Sequence, residues 1–569
     1  MKLTKYILSL AVTASMTTSC LDENPLYSLN SESTFEDIRT AQLALKGCFG
    51  YMTTYDSFGQ AGQELLTGAS GLGWTRTNAG DQDRFGSLNA TPACVITKMY
   101  WNGMYKTISE CCFFIHNMEN THVLTEAEKA PLIAQAKFLR GVAYYQLVTT
   151  FGGVPLRNDA PTAETLSLPR ATEAEIYDQI EKDFMEAKAD IEVSADKGYG
   201  SRPAVYAYLA KLYWTRASQE NTPSSTYWKK AQAYCDSTVM SGAFKLEPKF
   251  ADLFVNNYQG NESIFQLNFS TASSTTGNRG NWLFAPSSST AKGISWGRVR
   301  STKMFHDLFI GTYPDDPRYS ATFMSSFTNT SSGDAAYSYP TVSYKNGRKV
   351  VVETIDYTKL ADPTNPTVEE LTEKQVSVFT AATGEGGGWP YFRKSYDYNS
   401  EAQNCNKNVM LYRYADFLLI AADVENELGN PTKAADYLNL VLNRARTSGS
   451  VEAQTPAAIG SNLTQEEMRR KIFYERLFEL AGEVTMYSDV RHRGTEFLKE
   501  IVERHNNHHV TRAFATNKEV TGTHNFLDRL YNDGVTTDDF LKKNLLLPIP
   551  QEELNTNDKI SAKDQNFGY

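Results

Sequence analysis

Cysteine is scarce in this 569-residue chain. There are seven, and no two form a C-x-x-C pair, which removes the zinc-ribbon and thiol-redox readings. Cys111 and Cys112 sit in the apolar stretch ISECCFFIHNM and read as core thiols. Positive charge is also in deficit. Lys and Arg number 56 against 66 Asp and Glu, a net charge of −10 and the wrong balance for a nucleic-acid partner. After the first twenty residues no run approaches the ~18 consecutive apolar residues of a membrane-crossing helix. Catalytic signatures are missing too: there is no P-loop and no dinucleotide fingerprint. Asp315 and Asp316 are adjacent carboxylates before Pro317, but neighbours in a turn point apart and make a poor acid/base pair. His505, His508 and His509 have helix-compatible spacing without the flanking acid of a metal motif, so they read as a solvated polar loop. Asp81 and Asp83 begin like a calcium loop, which then fails where Phe85 replaces an oxygen ligand and Pro92 replaces the closing Glu. No cofactor is expected, calcium being a minor alternative.

What is present begins at the N-terminus. Lys2 and Lys5 precede a short apolar stretch from Tyr6 to Met16, then Thr17, Thr18, Ser19 and Cys20. A charged start, an apolar core and small residues form a secretory signal. A cysteine directly after them points to a lipoprotein signal, with the Cys20 thiol acylated and residues 1–19 removed. An ordinary cleaved signal with an incidental cysteine is the alternative. Loss of Lys2 and Lys5 would take the formal charge from −10 to −12. The expected mature chain is held at a membrane by lipid rather than threaded through it.

Helical periodicity dominates the first half. Leu132, Ala136, Leu139, Ala143 and Leu147 recur at three- and four-residue spacings, and Gly152, Gly153 and Pro155 end that helix. Further helices are expected from about Ala174 to Ile191, from Pro203 onward, and from Trp228 to Met240. A stripe of Leu411, Tyr414, Ala415, Leu418, Ala422 and Leu428 predicts another over 411–430, with a partner over 432–446. Helix pairs of this length, with small residues where they cross, indicate a tetratricopeptide-like repeat scaffold. Residues 255–405 differ, being rich in Ser, Thr, Gly, Asn and Tyr, and read as loops with short strands. The fold class expected is therefore mainly α, a helical repeat scaffold carrying a large loop-rich region. Loops on a rigid scaffold are where recognition concentrates.

Several segments, in order, resemble the SusD/RagB family of outer-membrane nutrient-binding lipoproteins. They are AKFLRGVAYYQLVTTFGGVPL (136–156), VYAYLAKLYWTRAS (205–218), GISWGRVRSTKMFHDLF (293–309), LYRYADFLLIAADVENELGN (411–430), ERLFELAGEVTMYSDVRHRG (475–494) and the end LLLPIPQEELNTN (545–557) with QNFGY (565–569). The resemblance divides the chain into the leader 1–19, an N-terminal repeat region 20–250 and a C-terminal region 251–569 with the loop-rich insert. It implies a surface lipoprotein without catalytic activity. Such a protein binds glycans, or sometimes other nutrients, as a lid on a SusC-like TonB-dependent transporter. Leu21, Asp22 and Glu23 resemble the family's export signal to the outer face, and Glu475, Glu479 and Glu483 its structural salt-bridge groups.

Sugars stack their C–H faces on aromatic rings and need donors and acceptors at the edges. Loop tryptophans beside such residues are therefore the candidates. Trp74 with Arg76, Asn78 and Asp81 falls where the family's first binding loop lies, with a core anchor as the alternative for Trp74. Trp282 lies in NRGNWLF, and Trp296 with Arg298 in SWGRVR. By resemblance Trp296 occupies a binding position of the starch-binding member, a position that is also a packing site in the family. Trp389 reads as a structural plug, and Trp101, Trp214 and Trp228 as core. The rival readings are a purely protein-assembling scaffold, with all three loop tryptophans buried, and a surface glycoside hydrolase.

Overall fold

A computed structural model describes residues 35–75, 85–324, 390–507 and 537–569, with gaps at 36, 87, 193, 195, 271–276, 287–288, 293 and 401–402, and four strand segments between 326 and 351. The leader and Cys20 lie outside the described residues. No described helix is long and apolar enough to cross a membrane.

The N-terminal half is built from α1 (Ile38–Tyr51), α2 (Ala61–Gly68), strand β1 (Gly73–Thr75), α3 (Val95–Asn120), α4 (Glu126–Phe151), α5 (Glu173–Asp190), α6 (Arg202–Glu220) and α7 (Thr226–Met240). Helix α3 packs on α4, α4 on α5, and α6 on α7. Helix starts follow local chemistry. The Thr125 and Thr172 amides each donate to a glutamate three residues on, Glu128 and Glu175, at 2.8 Å. That capping box starts α4 six residues before the apolar stripe that announces it. Gly152, with φ of 73°, ends it as expected.

The second half alternates strands with short helices: β2 (Ser263–Leu267), α8 (Gly280–Phe284), β3 (Val299–Ser301), α9 (Lys303–Thr312) and β4 (Phe323–Met324). Strands β5 (Ser326–Thr328), β6 (Ala335–Ser338), β7 (Val342–Lys345) and β8 (Arg348–Val351) form an antiparallel meander. Strands β9 (Tyr391–Phe392) and β10 (Val409–Arg413) lead to α10 (Tyr414–Glu427), α11 (Pro431–Thr447), α12 (Gln465–Glu479), α13 (Met486–Asp489) and α14 (Thr495–Asn507). Three antiparallel pairs, β1–β3, β2–β10 and β4–β9, tie distant parts of the chain together. One expectation is corrected here. Leu411 belongs to β10 rather than to the helix, because Val409 and Met410 pair with Leu267 and Gln266 of β2. An available strand edge overrides a marginal helical stripe.

One large core runs through the repeat helices, and a second lies under the loop-rich region, where Phe305, Phe309, Phe323, Phe392 and Phe478 converge. Trp101, Trp214 and Trp228 are buried as expected, and the six cysteines after Cys20 are all buried and free. Within the second half lies a buried ionic network that joins segments distant in sequence. Glu479 accepts from Arg413 at 2.6 Å, from Arg318 at 2.7 Å and from Arg444. Glu475 pairs with Arg318, and Glu483 with Arg413 and Lys394. Burial alone would raise the Glu479 carboxyl, but Arg444, Arg413 and Arg318 outweigh it and hold the group well below the usual range. Asp315 and Asp316 do diverge. Asp315 accepts from the Gln454 and Thr455 amides, whereas Asp316 pairs with Arg318.

His492 is buried with its ring stacked on Trp214 at 4.7 Å, and its Nδ1 lies 2.8 Å from the Asp489 carbonyl oxygen. Burial, aided by Arg493, pushes its pKa from 6.5 down to about 3. The unfolded chain therefore binds the extra proton first as pH falls. Its contribution to stability is complete above the unfolded value and is lost progressively from there toward the folded value. Below pH 6.5 this group should cost about 1.4 kcal/mol per pH unit. His492→Phe keeps the stack and should flatten that slope. Urea denaturation of both proteins between pH 7 and 5 checks it, and parallel slopes would refute it.

Candidate functional site

The sequence places Trp282 and Trp296 fourteen residues apart, and the fold stacks them. Trp282 stands on the short helix α8. The Trp296 amide donates to its carbonyl oxygen at 3.0 Å. The two indole rings lie 5.2 Å apart at 29°. Such pairing is worth about 0.5–1.5 kcal/mol beyond the area it buries. Trp282 is half-buried beneath, while Trp296 is 45 % exposed. A large ring held out in water on a rigid aromatic backing is a ready stacking face.

The turn that presents Trp296 is built from below. Gly297 has φ of 58°, and a Cβ there would stand 2.7 Å from the Tyr391 ring. Arg300 of β3 donates from Nε to the Gly297 carbonyl at 2.9 Å. Its guanidinium lies 4.9 Å from the Tyr391 ring centre and 5.4 Å from that of Trp74. Helix α8 is fixed in turn by Asn278, whose Oδ1 accepts from Gln63 of α2 at 2.8 Å, and by Asn281, whose Oδ1 accepts from the Asp397 amide at 2.9 Å.

Two expectations are corrected. Trp74 is only 3 % exposed, because pairing of β1 with β3 sets it opposite Arg300. It is the core anchor that supports the turn rather than a stacking face. Arg298 is 7 % exposed and ion-paired with the buried Glu64 of α2, so it ties the turn to that helix instead of reaching outward. Arg76, Asn78, Asp81, Trp389, His508 and His509 lie outside the described residues, whereas His505, expected in a solvated loop, is buried in helix α14.

Sequence reasoning missed Arg279, Tyr55 and Tyr398. The Arg279 guanidinium lies over the Tyr55 ring, 3.6 Å from its centre, and 5.5 Å from that of Trp282. Its Nη1 donates to Gln60 at 2.6 Å. The Tyr55 hydroxyl donates to Asn404 at 3.0 Å. Tyr398 is 51 % exposed on the loop whose backbone meets Ala291. Arg279 carried a usable signal, three residues before Trp282 in NRGNWLF. Tyr55 carried none.

A cavity of about 290 Å³ opens elsewhere, lined by Trp214, Arg491, His492, Lys543 and Phe567 among others. There the Trp214 ring already stacks on His492 at 4.7 Å, with the Arg476 guanidinium 5.0 Å from its centre. Among the described residues no group of three or more His, Cys, Asp or Glu could hold a metal ion. Phe85, at the end of the failed calcium loop, is buried.

A rigid helical scaffold with loops presenting an aromatic stacking face is the architecture of a binding protein. The chain belongs to the SusD family, whose model matches residues 261–569. A second model, described as starch-binding associating with outer membrane, matches residues 82–214. The chain is similar to SusD-like protein P25 of Formosa agariphila, at 24 % identity over 81 % of this chain and 84 % of that one. Its fold matches that of a SusD homologue from Bacteroides thetaiotaomicron with a TM-score of 0.71 at 18 % identity, over 95 % of this chain and 98 % of that one. A laminarin-binding SusD-like protein matches with a TM-score of 0.64 at 20 % identity, over 93 % and 99 % of the two chains.

Proposed function

We propose that this protein captures an oligosaccharide on the Trp296–Trp282 platform at the outer membrane, anchored through an acylated Cys20, and delivers it to a SusC-like TonB-dependent transporter. It converts nothing. The carrying observation is the exposed Trp296 ring stacked on a half-buried Trp282. Membership of the SusD family and likeness in fold to a laminarin-binding protein support the sugar. The second family description supports the location. An open platform with few contacts should bind with Kd of about micromolar to millimolar. Tethering beside a pore raises the effective concentration, so such affinity suffices.

The test is affinity electrophoresis of residues 21–569 through gels loaded with different polysaccharides. Retardation by at least one is expected, and Trp296→Ala should weaken it about tenfold or more, equivalent to about 1.4 kcal/mol. Retardation that survives Trp296→Ala unchanged moves the site elsewhere. No retardation across the panel favours a non-glycan nutrient or a protein-only lid.

A further inference from the structure

We infer that the glycan held at this platform is acidic, its uronate carboxylate taken by Arg279 beside Trp282. This rests on the reading of the platform as the sugar site and names the class of sugar.

Arg279 forms no ion pair among the described residues, although it is half-buried. The nearest acid through its hydrogen bonds is already engaged. Gln60 accepts from Arg279 on one side and donates to Glu64 at 3.2 Å on the other, and Glu64 is neutralised by Arg298. Asp397, behind α8, is occupied by Asn256 at 3.1 Å and by the Asn399 amide at 3.0 Å. Among the described residues no carboxylate is ion-paired with the guanidinium beside Trp282.

Its donors are unspent as well. Nη1 is used by Gln60, whereas Nε is buried and has no acceptor. Trp282 Nε1, on the next turn of chain, is a second buried donor without an acceptor. Buried donors are normally satisfied, and unmet ones on two side chains whose guanidinium and ring centre lie 5.5 Å apart call for a group that only accepts. A carboxylate is such a group. The Nε–Nη2 edge of a guanidinium is one that a carboxylate can bridge with two parallel hydrogen bonds. Stacking on Tyr55 holds the guanidinium plane in advance, so little side-chain freedom is lost on binding. A pyranose face on Trp296 with a carboxylate at its rim would use the ring and the cation together. A sulfate ester is the other common anionic group on sugars, and the experiment separates it.

The full mature chain is titrated calorimetrically with three oligosaccharides: an oligogalacturonate, a sulfated galactan free of uronate, and a neutral laminarin oligosaccharide. Wild type, Arg279→Gln and Trp296→Ala are compared. Oligogalacturonate should bind tightest, and its affinity should fall about tenfold in Arg279→Gln. It should weaken between about 50 and 300 mM salt, whereas a neutral ligand responds to neither change. The salt dependence in wild type needs no variant, so a folding defect in Arg279→Gln cannot mask the answer. Tighter binding of the neutral oligosaccharide, or uronate binding indifferent to Arg279 and to salt, overturns the inference while leaving the platform intact. Preference for the sulfated galactan overturns the carboxylate. Binding of none of the three, with Trp296→Ala silent, overturns the platform reading and this inference with it.

Discussion

Glu479→Ala is expected to cost the fold a large share of its stability. The carboxylate is wholly buried and meets Arg318, Arg413 and Arg444, each also buried. Its loss takes one acid from three guanidiniums at once, leaving Arg318 to Asp316 and Glu475, Arg413 to Glu262 and Glu483, and Arg444 to Glu262, in a site that water does not reach. Breaking a buried ionic cluster by deleting one partner costs about 3–5 kcal/mol, because the remaining charge is stranded. That is a large share of the roughly 5–15 kcal/mol by which a protein is stable. Glu479→Gln keeps the shape and one acceptor and should lose less. Glu466→Ala is the control. Glu466 pairs with Arg470 on the exposed side of α12, where an ion pair contributes about 0.3–0.5 kcal/mol. Urea denaturation followed by circular dichroism ranks the three. Equal midpoints for Glu479→Ala and Glu466→Ala would show that the cluster does not hold these segments together.

Gly297→Val should abolish sugar binding without touching either tryptophan. The residue lies at φ of 58°, which a β-branched side chain adopts only under strain, and its Cβ would stand 2.7 Å from the Tyr391 ring. Tyr391 cannot easily retreat, because it is fully buried under the Arg300 guanidinium. The turn must open, and Trp296 then leaves its stack on Trp282. Strain of this kind costs about 1–3 kcal/mol, which a chain of this size should survive. The expected result is a protein with a native circular dichroism spectrum that runs through a polysaccharide gel as Trp296→Ala does. Undiminished retardation would show that the turn does not set the platform.

The repeat helices were legible because their determinants are local. Thr172 with Glu175, Ser201 with Pro203, and the stripes that follow them define α5 and α6 within a few residues. Glu479 and its neighbours were legible only through the resemblance. Nothing in ERLFELAGE says that Arg318, Arg413 and Arg444 come from three other segments to meet it. The site divided along the same line. Trp282 and Trp296 stood out as loop tryptophans, and both reach the platform. Trp74 looked equivalent to them in sequence. A strand pairing across more than two hundred residues buried it, just as Glu64, more than two hundred residues away, turned Arg298 inward. Exposure is a tertiary property, and residue type near a loop does not determine it. Arg279 was overlooked because its partner Tyr55 is equally distant, although its spacing to Trp282 was in plain view.

Capture as proposed rests on sugar stacking on Trp296 over Trp282. Fluorine NMR of the chain labelled with 5-fluorotryptophan reads it directly, since the seven tryptophans give seven resonances assignable by substitution. On titration with the polysaccharide fragment that retards the protein, the Trp296 and Trp282 resonances should move together and saturate with one Kd. Those of the buried Trp74, Trp101, Trp214 and Trp228 should stay in place. Saturable shifts confined to other tryptophans, with Trp296 and Trp282 unmoved, would contradict it.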